Sequence, residues 1–99
     1  MKTETAVPAQ AELELTSATP FDSGAALNYR LAGDGLVQIQ IFDLLGRPVR
    51  QLLNALQPAG PHQVVWDGRN DYGRLLDNGP YIVSLIGAGG ALVTARLLP

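Results

Sequence analysis

The sequence predicts an all-β fold, an antiparallel β-sandwich of about seven strands. Three observations carry that expectation. Apolar and polar residues alternate with a period of two through segment after segment. Clusters of Gly, Pro, Asn and Asp punctuate those segments. No stretch repeats its apolar residues at a convincing helical spacing, and seven short strands joined by turns suit a sandwich, with a barrel as the architectural alternative.

Residues 1–10 are small and polar, are broken by Pro8, and read as a linker or terminal tail; residues 11–99 read as one sandwich domain. Glu12-Leu13-Glu14-Leu15-Thr16 alternates as a half-buried first strand, and Thr19 to Gly24 is rich in turn formers. Leu27, Tyr29 and Leu31 form the apolar face of a second strand, and Gly33-Asp34-Gly35 turns the chain. Val37, Ile39 and Ile41 mark the third strand, which continues through Phe42-Asp43 to a tight turn at Leu45-Gly46-Arg47. Pro48 to Leu53 reads as the fourth strand, with a helical turn over Arg47–Leu56 as the alternative. Asn54 to Gly60 reads as a loop, His62 to Asp67 as the fifth strand, and Gly68 to Asn78 as a long polar loop. Tyr81–Ile86 is the sixth strand, Gly87-Ala88-Gly89-Gly90 a hairpin turn, and Ala91 to Leu98 the seventh strand. No internal repeat is apparent.

Composition excludes several function classes. Charged residues are 16% of the chain and the formal net charge is -2, so there is no basic stripe for nucleic acid or for an anionic membrane. The 46% hydrophobic content suits a packed core and not a disordered chain. Cys is absent, which removes disulfides and thiolate chemistry, and a single His, His62, cannot supply a two-His metal motif. No apolar run approaches the ~20 residues of a spanning helix, and no apolar segment of signal-peptide type follows Met1-Lys2-Thr3-Glu4-Thr5.

The residues that could carry chemistry have plainer structural readings. Asp43 and Gly46 are turn chemistry: an Asp that accepts backbone N–H groups, and a Gly that permits positive φ. Trp66 reads as a core residue whose indole N–H finds a partner, against the alternative of an exposed sugar platform. Tyr81 reads as core or corner. Asp67, Asn70, Asp71, Asp77 and Asn78 gather oxygen atoms within the Asp67–Asn78 loop; Asx-turn capping is the main reading and a Ca²⁺ site the alternative, with no other cofactor expected. Ser17, Ser23 and Ser84 have only His62 as a base and no nucleophile elbow around them, so no enzyme is expected. Gly87 to Gly90 lacks the Lys-Ser/Thr ending and following helix of a phosphate loop.

Four stretches together carry a family resemblance. They are Thr19-Pro20-Phe21-Asp22 with Leu27-Asn28-Tyr29-Arg30-Leu31; Val37 to Val49 with its Phe42-Asp43-Leu44-Leu45-Gly46-Arg47 centre; Pro58-Ala59-Gly60 through Trp66-Asp67-Gly68; and Gly73-Arg74 with Asp77-Asn78-Gly79-Pro80-Tyr81. In order and spacing they resemble the type A C-terminal sorting domain of proteins exported by the type 9 secretion system. They are equally similar to the immunoglobulin-like domain of the flagellar hook-capping protein. The chain differs from that pattern at Thr19, at Asp22-Ser23 and in its apolar ending Leu97-Leu98-Pro99.

The resemblance implies an immunoglobulin-like sandwich and a non-catalytic module at the C-terminus of a larger exported bacterial protein. It implies sorting and cell-surface attachment, with N-terminal cargo domains and the outer-membrane secretion machinery as partners. The expected location is the outer-membrane surface or the extracellular space. Translocon recognition would then fall on Tyr81 and on Leu92, Val93, Thr94, Ala95, Arg96, Leu97 and Leu98, through an apolar edge strand. The hook-capping reading makes the same sandwich a structural assembly module. A third reading is a carbohydrate-binding module of a secreted glycoside hydrolase.

Overall fold

A computed structural model describes residues 13–21, 24–77, 80–87 and 90–97. The tail at 1–10, and the positions Ser23, Asn78 and Leu98 singled out above, lie outside the described residues. The strands are β1 (Leu13–Phe21), β2 (Gly24–Leu31), β3 (Gly35–Phe42), β4 (Pro48–Gln57), β5 (Gly60–Trp66), β6 (Tyr81–Ile86) and β7 (Leu92–Leu97). They form two antiparallel sheets, one of three strands in the order β1-β2-β5 and one of four in the order β4-β3-β6-β7. This is the immunoglobulin-like sandwich, not the barrel.

The alternation read from the sequence selects the inner faces. Ala25, Leu27, Tyr29 and Leu31 point inward from β2, and Val37, Ile39 and Ile41 point inward from β3. Val83 and Leu85 from β6, Leu13 from β1, Trp66 from β5 and Leu97 from β7 complete the buried cluster. Each fully buried aliphatic side chain contributes about 1.5–3 kcal/mol relative to exposure, which is what holds the two sheets face to face.

Three sequence expectations need correction. The first strand does not end at Thr16: β1 runs on to Phe21, through a bulge between Leu15 and Ser17. The extra residue reverses the phase, so Leu15 before it and Ala18 after it both pack on the core. That broken alternation hid the second half of the strand. Likewise β4 continues through the segment read as loop, to Gln57, and carries no helical turn. Its pairing with β3 skips Leu52 between Gln51↔Gln40 and Leu53↔Ile39, so Leu52 and Leu53 both reach the core. The adjacent apolar pair broke the period of two and resembled a strand end. Finally, β5 begins at Gly60 and pairs with β2 from Leu31↔Gly60 onward.

Successive strands β4 and β5 belong to different sheets. The chain crosses between them through Pro58-Ala59, where the Ala59 N–H donates to Asp34 Oδ1 at 2.8 Å. Gly60 completes the crossing at φ 114°, a conformation that L side chains rarely adopt.

Candidate functional site

Asp43, Trp66, Asp67, Asn70, Asp71 and Tyr81, marked as candidates by the sequence, gather at one end of the sandwich, around the β3–β4 turn and the loop between β5 and β6. Asp43 builds the first turn. Its Oδ1 accepts the N–H groups of Leu45 (2.9 Å) and Arg47 (3.0 Å), and its Oδ2 accepts Arg47 Nε at 2.8 Å. The backbone closes the same turn, with Asp43 N–H to Arg47 O and Gly46 N–H to Asp43 O, both 3.0 Å. Gly46 sits at φ 83°. The Arg47 backbone N–H holds the Asp43 carboxyl below its ordinary pKa; the Arg47 side chain and Leu45 N–H add to this against a desolvation penalty.

Asn70 builds a second turn on the same plan. Its Oδ1 accepts Tyr72 N–H (2.9 Å) and Arg74 N–H (3.0 Å). Asn70 N–H donates to Arg74 O and Gly73 N–H to Asn70 O, while Gly73 sits at φ 83°. Asp43-Leu44-Leu45-Gly46-Arg47 and Asn70-Asp71-Tyr72-Gly73-Arg74 are therefore one turn used twice, a local likeness that the sequence reading did not notice. The signal was present as Asp/Asn, a large apolar residue two positions on, Gly and Arg. Five residues with a changed first position are too short to stand out without the hydrogen-bond pattern.

The two turns are fastened side by side. Asp71 N–H donates to Val49 O at 3.0 Å, and Asp71 Oδ1 accepts Gln51 N–H at 2.9 Å, so the second turn covers the start of the β4 edge. Arg50 Nη1 reaches Asp67 Oδ1 (3.2 Å) and Arg69 O (3.0 Å) across the same junction. The Asp67, Asn70 and Asp71 oxygens are thus engaged by backbone and guanidinium donors, the Asx-turn reading. Among the described residues no group of three acidic or His side chains converges on a common metal position. Leu45 and Tyr72 occupy equivalent places in the two turns and are 78% and 94% exposed.

Behind the turns, Trp66 is 3% exposed and belongs to the core. Its Nε1 donates to Arg69 O at 2.9 Å, and its ring meets Tyr81 edge to face at 5.2 Å. A sugar platform at Trp66 is thereby ruled out, because the indole offers no open face. Tyr81 is the corner: its hydroxyl donates to Asp77 O at 2.7 Å, pinning the loop back on the start of β6. Burial, then Asp77 and Asp43, push the Tyr81 phenol above its ordinary pKa.

The segment expected to meet a translocon is divided by the fold. Tyr81 is partly buried beneath the loop, Leu97 is in the core, and Val93 and Ala95 pack against the core. Leu92, Thr94 and Arg96 face outward from β7, and Leu98 lies outside the described residues. Among the described residues β7 pairs with β6 alone and forms an edge of the four-stranded sheet.

The opposite end of the β3–β4 hairpin carries an open pocket of about 440 Å³, lined by Asp34, Gly35, Leu56, Gln57 and Pro58. Tyr29 reaches its rim, donating from its hydroxyl to Gln57 Oε1 at 3.0 Å, and His62 stacks on the Tyr29 ring at 5.3 Å. His62 Nε2 lies 2.7 Å from Pro58 O. His62 is thus held in the three-stranded sheet, whereas Ser84 is buried on β6 of the other sheet.

Comparison with known proteins adds two findings. The family model described as the FlgD Ig-like domain matches residues 10–90. Among solved structures, the crystal structure of FLGD from P. aeruginosa is similar in fold, with a TM-score of 0.64 and 20% identity over 88% of this chain and 69% of that one. No curated protein matches the chain.

Proposed function

This chain belongs to the FlgD Ig-like domain family, and on that premise we propose that it is a non-catalytic structural module of an exported bacterial assembly protein of the flagellar hook-capping type. The family match across residues 10–90 is the observation that carries this reading. The geometry supports it: the polar side chains at the turn end fix backbone conformation, leaving exposed Leu45 and Tyr72 for contact with other proteins. Its place of work is outside the cytoplasm, where hook assembly occurs, and its action is binding and not bond making.

The test is a domain exchange. Residues 11–99 replace the immunoglobulin-like domain of the hook-capping protein in a motile bacterium. Restored hooks and swimming are expected. A stable, folded chimera that leaves the cells without hooks overturns the proposal.

The β7 edge, which among the described residues pairs with β6 alone, supports a second reading, the type 9 sorting domain with cell-surface attachment. Leu92 is 62% exposed there, and the strand carries one charge, Arg96. A periplasmic reporter fused to residues 11–99 then reaches the surface only in a type 9-competent strain. Retention in both competent and translocon-deficient strains removes this reading.

A further inference from the structure

The side of β7 that turns away from β6 has a definite chemistry. Among the described residues no strand lies beside it, so one row of β7 backbone N–H and C=O groups has no ladder partner there. Such a row invites another strand. Val93, Ala95 and Leu97 face the core, and Leu92, Thr94 and Arg96 face outward. Along its row of the sheet Arg96 stands beside Ile82 and then Phe42, neither of them charged. No carboxylate of the described residues, Asp77 included, comes within ion-pair distance of Arg96. A strand that suits this edge is small or apolar on its inner face and carries an acid opposite Arg96.

The chain holds such a segment within reach. Twelve residues precede Leu13. Leu13 opens β1, the strand that packs against β7 across the sandwich. A Cβ built on Gly87 would touch the Leu13 side chain at 3.4 Å, and Gly87 N–H donates to Ala91 O at 2.8 Å, so Leu13 lies beside the start of β7. Residues 9–12 reach about 13 Å when extended, more than the about 10 Å between packed sheets. A segment led back along β7 from that point runs antiparallel to it. Thr3-Glu4-Thr5-Ala6-Val7 has a β-branched residue at every second position, and Pro8 follows.

We infer that residues 3–8 add to the β7 edge as an antiparallel fifth strand of that sheet, with Glu4 opposite Arg96. Thr3, Thr5 and Val7 then lie beside Leu97, Ala95 and Val93 toward the core, and Ala6 lies opposite Thr94 on the outer face. Pro8 falls opposite Leu92, at the end of the pairing on an edge strand, where a missing N–H is tolerated. A slip by one residue turns Glu4 inward, and a slip by two separates it from Arg96, so a single register is selected. The occupant is the chain's own segment because its length, its alternation and its acid all match the edge. A strand from another protein then gains β7 only by displacing it. The inference stands apart from the assembly reading, since the family match begins at residue 10.

Hydrogen exchange followed by NMR on the 99-residue chain tests this. The alternate β7 amides that turn away from β6 are expected to be protected. Deletion of residues 1–8 should speed their exchange at least about tenfold, while the amides bonded to β6 keep their protection. Arg96→Glu should speed the same amides, and adding Glu4→Arg should restore them, as only an opposed pair allows. The chain has no Cys, so Ala6→Cys with Thr94→Cys reports the contact directly. Opposed residues of an antiparallel pair are about 4.5–5.5 Å apart, within disulfide reach. Mild oxidation of dilute protein should close that pair within one chain. It should leave reduced the pair Ala6→Cys with Gln63→Cys, whose second position is exposed on β5 of the other sheet. Exchange unchanged by the deletion, a charge swap that restores nothing, or equal oxidation of the two cysteine pairs each overturns the inference. Protection that survives the deletion and fades on dilution marks a second copy on the edge, and overturns it as well.

Discussion

Replacing Trp66 with Ala tests the central claim about the site, that its only tryptophan is core and not a binding platform. Trp66 is 3% exposed, so truncation removes nearly the whole indole from packed surroundings. Trp→Ala in a core costs about 3–5 kcal/mol, cavity included. Within that figure, the edge-to-face contact with Tyr81 accounts for about 0.5–1.5 kcal/mol. The Nε1 bond to Arg69 O accounts for about 1 kcal/mol more. That carbonyl keeps Arg50 Nη1 as a donor at 3.0 Å, so no orphaned acceptor adds to the loss. For a domain of this size each 1 kcal/mol shifts Tm by about 4–8 °C, so the midpoint falls by at least about 12 °C. Urea unfolding followed by far-UV circular dichroism measures the loss, since the variant has no tryptophan fluorescence. Trp66→Phe keeps a ring in place and is expected to cost less than the alanine change. A folded Trp66→Ala variant that loses under about 1 kcal/mol would refute the core assignment, because no cavity-forming substitution at a buried ring is that mild.

Other outcomes follow from single contacts. Tyr81→Phe removes the hydroxyl that holds Asp77 O, with an expected loss of about 1 kcal/mol in denaturant unfolding. Gly24→Ala drives a Cβ into the Trp66 carbonyl oxygen and is expected to destabilise by about 1–3 kcal/mol. Gly33→Ala, where a Cβ meets nothing within 4 Å, should change little in the same assay. Asp43→Asn should flatten the acid limb of the stability profile. The Asp43 carboxyl is held below its ordinary pKa when folded, so the unfolded chain binds more protons between the two values. Its contribution is present above the unfolded value of about 3.9 and disappears as pH falls through the folded value. Parallel wild-type and variant melts across that acid range would contradict the turn assignment.

Much of the fold was legible because strand structure has a local signature. Val37, Ile39 and Ile41, or Leu27, Tyr29 and Leu31, declare an inner face by alternation alone, whatever they pair with. Asp43 and Gly46 declare a turn for the same reason: the side chain bonds within its own five residues. Trp66 was read as core from a lone aromatic on an alternating strand, while Tyr81 was read only as core or corner, and its hydroxyl bond to Asp77 O decided for the corner. The bulges at Leu15/Ser17 and at Leu52 were not legible, because a bulge is defined against a partner strand and leaves only a broken period behind. Those two places are where β1 and β4 were read too short.

The sequence by itself determined the strand-and-turn grammar and the inner faces, since each rests on residues near one another in the chain, whereas it left two families equally similar and the family match over residues 10–90 favoured the second. Only the tertiary structure decided that β4 and β5, two residues apart, belong to different sheets. Only it revealed that Asn70 repeats the turn of Asp43, and that Leu45 and Tyr72 stand at one end with the Asp34–Leu56 pocket at the other. The reason is physical. Alternation and turn chemistry are properties of neighbouring residues, whereas pairing, bulges and shared surfaces arise from contacts between residues far apart in the chain, which no local pattern encodes.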